Sequence, residues 1–239
     1  MSLTENKHRC LTCRRPQMAC LCEFVSPVET NTKFVILMHP KEYKKVKIAT
    51  GRLTHLQLKN SEILVDINFS QNKRLNKLIE SHNSFVLYPN EKSLNLTGIQ
   101  EKKPIEFKQE TLFIVIDATW YLAKKMYKES TNLHALRSIS FEHNRVSEFK
   151  IKQQPFPKCL STIESVKIVI EELNRLNIET CPLENFLNPF YKMVEYQIEC
   201  QMNPPMNSYR NDSSLKKLDK TQYRSKQARN LFFQLDAKA

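Results

Sequence analysis

Apolar positions in this chain follow two rhythms. Four short stretches are nearly continuous in apolar, β-branched or aromatic residues: 34–38 ("FVILM"), 62–67 ("EILVDI"), 84–88 ("SFVLY") and 111–116 ("TLFIVI"). Runs of this length without alternation predict strands covered on both faces, as in a parallel sheet. Other segments repeat at helical spacing. Residues 51–60 and 73–82 predict helices, and a helix over 119–128 sets Trp120, Ala123 and Tyr127 along one stripe. The clearest helix is 161–177. Ser161 and Glu164 stand there at capping-box spacing, and Ile163, Val166, Ile170, Leu173 and Leu176 share one face. Residues 183–202 predict a further helix. From Pro204 onward the chain is polar and basic with weak periodicity, and no internal repeat is present.

Strands alternating with helices predict an α/β fold with a mainly parallel sheet flanked by helices. The pattern divides the chain into a cysteine-rich module (1–30), an α/β domain (31–203) and a basic polar tail (204–239). In open parallel sheets ligands bind outside the carboxyl ends of the strands. Three predicted strands end on chemically distinctive residues: His39-Pro40, Tyr88-Pro89 and Asp117. Asp117 therefore stands where such a sheet presents a catalytic or ligand-holding group.

Composition narrows the picture. Only two glycines occur, Gly51 and Gly98. A dinucleotide fingerprint needs three glycines at one strand–helix turn and a P-loop needs two, so neither phosphate cradle can be built. The formal net charge is +12, which favours a polyanionic partner, because Lys and Arg neutralise phosphates and release counterions. No stretch reaches the ~20 apolar residues that span a bilayer, and the N-terminal residues lack the apolar segment of a signal peptide. A cytoplasmic protein without a membrane partner is expected.

Four of the seven cysteines crowd into residues 10–22 as C-x2-C-x6-C-x-C: Cys10, Cys13, Cys20 and Cys22. In a reducing compartment this reads as metal ligation rather than disulfides. Four thiolates suit a closed structural zinc site; an iron–sulfur cluster takes four cysteines too. The stretch "DATW" (117–120) couples Asp117 and Thr119 to Trp120, the only tryptophan, with Lys124 and Lys125 following. The bland reading makes Asp117 a helix cap and Trp120 a core residue. The capping box likewise explains Ser161 and Glu164 without function. Lys41, Lys44, Lys45 and Arg52 form a basic stretch after the first strand, either a solvated loop or a contact to a phosphate backbone.

Taken together, these motifs resemble the DTW-domain family. The matching stretches are the cysteine cluster with Pro16 inside it, "HPKE" (39–42), "TGRL" (50–53), "LYP" (87–89), "DATW" (117–120), "LSTIES" (160–165) and "MVEYQ" (193–197). Ala118 departs from the pattern, since the family usually carries glycine there. The resemblance implies a tRNA-uridine aminocarboxypropyltransferase, which moves the 3-amino-3-carboxypropyl group of S-adenosylmethionine to N3 of a uridine in tRNA and releases methylthioadenosine. It also implies a SPOUT-like fold whose cofactor sits in a C-terminal knot of three loops. Here those are the loops carrying Tyr88 and Pro89, then Asp117, Thr119 and Trp120, then Leu160, Ser161 and Thr162. On this reading Asp117 is the first choice for the general base at N3 and Glu164 the second. Trp120 packs on the cofactor with its face toward the sulfonium, and Ser161 or Thr162 holds a carboxylate. Lys41, Lys44, Lys45, Arg52, Lys124 and Lys125 meet RNA. The rival readings are a SPOUT-type RNA methyltransferase and a zinc-containing RNA-binding protein without catalysis.

Overall fold

The computed structural model describes residues 9–45, 48–99, 110–152 and 158–203. The basic tail expected over 204–239 lies outside the described residues. The centre is a six-stranded sheet built from β1 (Lys33–Met38), β2 (Ser61–Val65), β3 (Asn83–Leu87), β4 (Leu94–Asn95), β5 (Thr111–Asp117) and β6 (Arg137–Ser140). The strand order is β2-β1-β5-β3-β6-β4, and every pairing is parallel. The helices are α1 (Pro40–Lys45), α2 (Thr50–Gln57), α3 (Lys73–Ser81), α4 (Trp120–Glu129), α5 (Thr162–Arg175) and α6 (Asn188–Met202).

The expected α/β architecture is thus present, with differences that have local causes. β2 stops at Val65, where the Asp66 side chain takes the Ile67 amide into a turn, and as an edge strand it is only half covered. β4 and β6 had no apolar run to betray them. The basic stretch after β1 is not a loop but the short helix α1. α6 starts at Asn188, later than expected, with Pro189 in its first turn.

Side chains alternate across the sheet. Phe34, Phe85, Phe113 and Val115 face α2, α5 and α6, whereas Val35, Val86, Leu112 and Ile114 face α3 and α4. Phe34, Phe113 and Phe85 are register partners on β1, β5 and β3. Their rings meet edge to face, 5.8 and 5.7 Å between centroids. Such contacts add about 0.5–1.5 kcal/mol each beyond burial. A one-residue slip would turn the whole rung to the wrong face, so the rung fixes the register that carries Asp117 to the end of β5. By the same alternation Asp117 points to the α2/α5 face.

The cysteine segment folds as a knuckle. Arg9 and Pro16 form an antiparallel bridge, Arg14 takes a left-handed turn (φ 59°), and Cys10 bonds backbone to backbone with Arg14 and Arg15. Leu21 enters the α2/α5/α6 core, and the Lys192 ammonium of α6 lies 5.6 Å from the Phe24 ring centre. Among the described residues no helix is long and apolar enough to cross a membrane.

Candidate active site

The last residue of β5 lies where two helices begin. Asp117 is 5% exposed. Its Oδ1 accepts a 2.5 Å hydrogen bond from the Thr162 hydroxyl at the start of α5. The main-chain carbonyl of Asp117 accepts from the His39 amide, which ties the end of β5 to the end of β1. α2 closes the site from the other side. A Cβ on Gly51 would lie 2.9 Å from the Asp117 Cβ and collide with the carboxylate, so only glycine fits there. One of the two glycines in the chain thus serves close approach of a helix end to this acid.

Two electrostatic influences oppose each other at Asp117. Burial pushes its carboxyl above the usual range, while the Thr162 hydrogen bond, Lys152, the Gly51 amide and Arg52 pull it down. Burial dominates. The Gly51 amide is close enough to favour the charged form, yet Oδ2 is sealed from solvent and has no hydrogen-bond donor among the described residues. Asp117 does not cap α4: its side chain turns away, and Thr119 occupies the N-cap position.

The neighbours are charged. Glu42, in the first turn of α1, is 6% exposed; burial raises its carboxyl, Lys152 opposes this, and Asp117 adds to it. Arg52 lies 4.8 Å over the Tyr43 ring and donates to the Tyr43 carbonyl at 3.3 Å. Its pKa is lowered by burial and by Arg14, against Tyr43 and Asp117. Buried His39 is held toward its neutral form by desolvation, with Lys41 and Lys125 adding to the effect. Lys41 and Lys125 therefore converge on the same strand end from α1 and α4. Lys41, Lys44, Lys124 and Lys125 are exposed. Lys125 pairs with Glu129 at 3.6 Å. Lys45 ends α1, and its side chain is outside the described set.

Not every expected residue joins this group. Glu164 is buried, and its carboxylate is spoken for. Oε2 accepts from the Ser161 amide, the Ser161 hydroxyl and the Ser147 hydroxyl; Oε1 accepts from the Glu148 amide. It forms the capping box of α5 and braces residues 147–148. Tyr88 points to the opposite face of the sheet and stacks on Tyr127, 3.9 Å between centroids and 10° between planes. Pro89 and Thr119 are exposed, and Leu160 is half-buried. Trp120 is 43% exposed, not core; in α4 the buried residue is Met126. Lys152 carries no signal in the sequence pattern, whereas Gly51 stands out both as one of two glycines and within the "TGRL" stretch.

Two cavities among the described residues lie away from Asp117. One, of about 620 Å³, borders residues 26–31 and 179–186 near the amino end of β1. Its buried acid, Glu179, is already satisfied by the Asn31 and Thr32 amides. The other, of about 590 Å³, opens beside Tyr127, His134 and Arg137. Neither joins an unpartnered buried acid to a basic rim, so we take the Asp117 cluster as the site.

At the N-terminal knuckle the four thiols converge. Cys10 and Cys22 sulfurs are 3.5 Å apart, those of Cys13 and Cys20 3.7 Å, and all four lie within 4.8 Å of one another. A tetrahedral ion with bonds of ~2.3 Å needs sulfur pairs about 3.8 Å apart, so one ion fits. An iron–sulfur cluster spreads its thiolates further, because the cluster's own atoms stand between them. The Cys13 amide, the Cys22 thiol and the Thr12 amide pull the Cys10 thiol down to about 6, whereas burial pushes Cys22 up to about 12.

The chain matches the DTW domain over residues 7–198. It belongs to the DTW domain family. The Asp117-Ala118-Thr119-Trp120 turn lies within the matched region, as do the four cysteines. Among curated relatives, the chain is 27% identical over 201 residues to "tRNA-uridine aminocarboxypropyltransferase 2" of Mus musculus, covering 82% of this chain and 65% of the mouse protein. It is 26% identical over 203 residues to the Drosophila melanogaster protein of the same name, covering 81% of this chain and 76% of that one. With "tRNA-uridine aminocarboxypropyltransferase A" of Arabidopsis thaliana it shares 27% identity over 194 residues. The chain thus spans just under two thirds of the mouse relative's length. No solved structure gives a significant match.

Proposed function

We propose that this DTW domain protein transfers the 3-amino-3-carboxypropyl group of S-adenosylmethionine to N3 of a uridine in tRNA, releasing methylthioadenosine. The observation that carries the reading is that relatives named for tRNA-uridine aminocarboxypropyl transfer match more than four fifths of the chain. The geometry supports it in three ways. A buried acid, one of whose oxygens has no hydrogen-bond donor among the described residues, stands at the carboxyl end of the sheet, where parallel α/β folds bind ligands. The flanking α1 and α4 expose lysines to that end, suited to an RNA backbone. β5, β3 and β6 are neighbouring parallel strands, so the segments leaving their carboxyl ends lie side by side; this favours a three-loop donor cradle of the SPOUT-like, knotted kind.

S-Adenosylmethionine, as a substrate, supplies a sulfonium whose sulfur leaves neutral, so the protein's task is positioning more than activation. The bond formed is uridine N3 to the γ-carbon, the bond broken is that carbon to sulfur, and the N3 proton must go to a base. Asp117 takes that role in our reading: Thr162 holds Oδ1, Oδ2 keeps its lone pairs, and burial raises basicity toward the working range. Glu164, with four donors on its oxygens, holds the segments around Asp117 in place instead. Trp120 offers an exposed ring that can face the sulfonium, and Lys41, Lys44, Lys124 and Lys125 meet phosphates. The four-cysteine cluster holds zinc in a structural role. Incubating the protein with S-adenosylmethionine and unmodified tRNA, then analysing nucleosides by mass, tests the reading. Aminocarboxypropyluridine is the expected product; methyluridine, or no new nucleoside, contradicts it.

A further inference from the structure

Residues 88–93 lead from the end of β3 past β6 to the edge strand β4. Two bonds pin this crossing to β6: the Asn90 amide donates to the Ser138 hydroxyl at 2.7 Å, and the Ser93 hydroxyl to that of Ser140 at 2.8 Å. The cavity of about 590 Å³ opens between the crossing, Tyr127 near the end of α4, and the start of β6. Its wall is fixed from several sides. Tyr127 stacks on Tyr88, and the His134 ring centre lies 5.0 Å from that of Tyr127. His134 Nε2 is 2.8 Å from the Tyr127 carbonyl; a carbonyl only accepts, so Nε2 carries the proton and the ring is held in one orientation. The charge of the lining is one-sided. Lys92, His134 and Arg137 border the cavity, and among the described residues no acid does. The cavity near the amino end of β1 is the reverse, bordered by Glu29, Glu179 and Glu184 and by no basic residue.

A basic cavity without an acid suits an anion. S-Adenosylmethionine has the wrong sign, since its sulfonium and ammonium outweigh its one carboxylate. A nucleotide of an RNA strand has the right one. α4 connects the cavity to the Asp117 turn. Trp120, Lys124 and Tyr127 stand at i, i+4 and i+7 and so share one helix face. Trp120 and Tyr127 are about 10 Å apart along the axis, and Lys124 between them is exposed. A strand whose uridine meets Asp117 can therefore follow α4 from Trp120 past Lys124 to the cavity. We propose that the cavity takes a nucleotide of the substrate RNA that neighbours the target uridine, with its phosphate between Lys92 and Arg137. This rests on the tRNA-uridine transfer reading and deepens it. Arg137 offers a planar fork matched to phosphate oxygens, and Lys92 a point charge. Phosphate contacts fix register and do not read bases, so the cavity sets which position along the strand reaches the acid.

Direct binding of unmodified tRNA transcript over a range of salt tests the site, with S-adenosylmethionine binding by calorimetry as the second readout. Lys92→Met and Arg137→Met should each weaken tRNA binding several-fold. The double variant should lower the slope of log affinity on log salt by ~1, the loss of one phosphate contact. S-Adenosylmethionine affinity should stay at the wild-type value in all three. Lys59→Met is the control: it removes the same charge beside the acid-lined cavity, where Lys59 pairs with Glu29, and should leave the slope unchanged. An equal loss in Lys59→Met would reduce the effect to net charge and overturn the proposal. So would an unchanged slope in the double variant, or lost S-adenosylmethionine binding, which would make the cavity a donor site. Arg137 also lies 5.7 Å from the Phe85 ring centre; should Arg137→Met fail to fold, exposed Lys92 alone decides. A wild type that forms aminocarboxypropyluridine, with variants that bind tRNA as it does, refutes the cavity and leaves the transfer reading standing. A wild type that binds no tRNA refutes both.

Discussion

Asp117 is gripped from two directions, by Thr162 at the start of α5 and by the bare backbone of Gly51 in α2. That arrangement suits two roles, a general base or an anchor joining two helix ends. Asp117→Asn separates them. As the base, it should lose turnover by roughly 10²–10⁴ while S-adenosylmethionine and tRNA bind nearly as before. Lost donor binding in a direct titration would make it an anchor. The pH profile gives a second handle. The Thr162 hydrogen bond lowers the Asp117 carboxyl against the stronger effect of burial. Thr162→Val removes it, so the carboxyl rises further and the low-pH limb of turnover should move to higher pH; Thr162→Ser should restore it. The sign for stability is the reverse of a salt-bridged acid. A carboxyl raised in the fold favours folding at low pH, and that contribution is lost as pH climbs through its folded value.

At the scale of elements, the start of α5 does structural work that its sequence announced. Ser161 and Glu164 were legible as a capping box, and the box is there. What the spacing could not show is the second job of Glu164, bracing Ser147 and Glu148 from the segment after β6. Glu164→Gln should therefore cost about 1–3 kcal/mol through lost acceptors, read as a lowered midpoint in urea at constant slope. A variant of full stability would contradict this. β1, β3 and β5 were legible to within a residue because buried parallel strands are apolar throughout. β6, "RSIS", has one apolar residue, Ile139, and α1 is a single polar turn and a half, so neither leaves a periodic trace. Asp117 and Thr162 were visible because each ends or begins an element. Their meeting with Gly51 and Lys152 was not, since it depends on how distant segments approach across the sheet.

Across the whole molecule, the knuckle and the Asp117 site are connected through one tyrosine. Arg14, on the turn between Cys13 and Arg15, donates to the Tyr43 hydroxyl at 2.6 Å and lies 5.1 Å from its ring centre, and Arg52 covers the same ring. Arg15 is buried, donates to the Ala19 carbonyl and lies 5.9 Å from the Tyr196 ring centre on α6. An ion in the knuckle would thus fix the module on α1 and α6. Cys13→Ser should lose the metal and lower stability, because a structural ion's binding energy is also folding energy. Elemental analysis of the wild type should give one zinc per chain; iron with sulfide would contradict that. The basic rim, the buried acids and the open carboxyl edge of the sheet all serve one claim, that the carbon chain of the donor and not its methyl is delivered to tRNA. The most direct measurement is chromatography of the adenosine compound released from S-adenosylmethionine when the protein acts on tRNA. Methylthioadenosine, formed in step with modified uridine, is the expected result. S-Adenosylhomocysteine would make the protein a methyltransferase, and no release at all would make it a binding protein; either result contradicts the account.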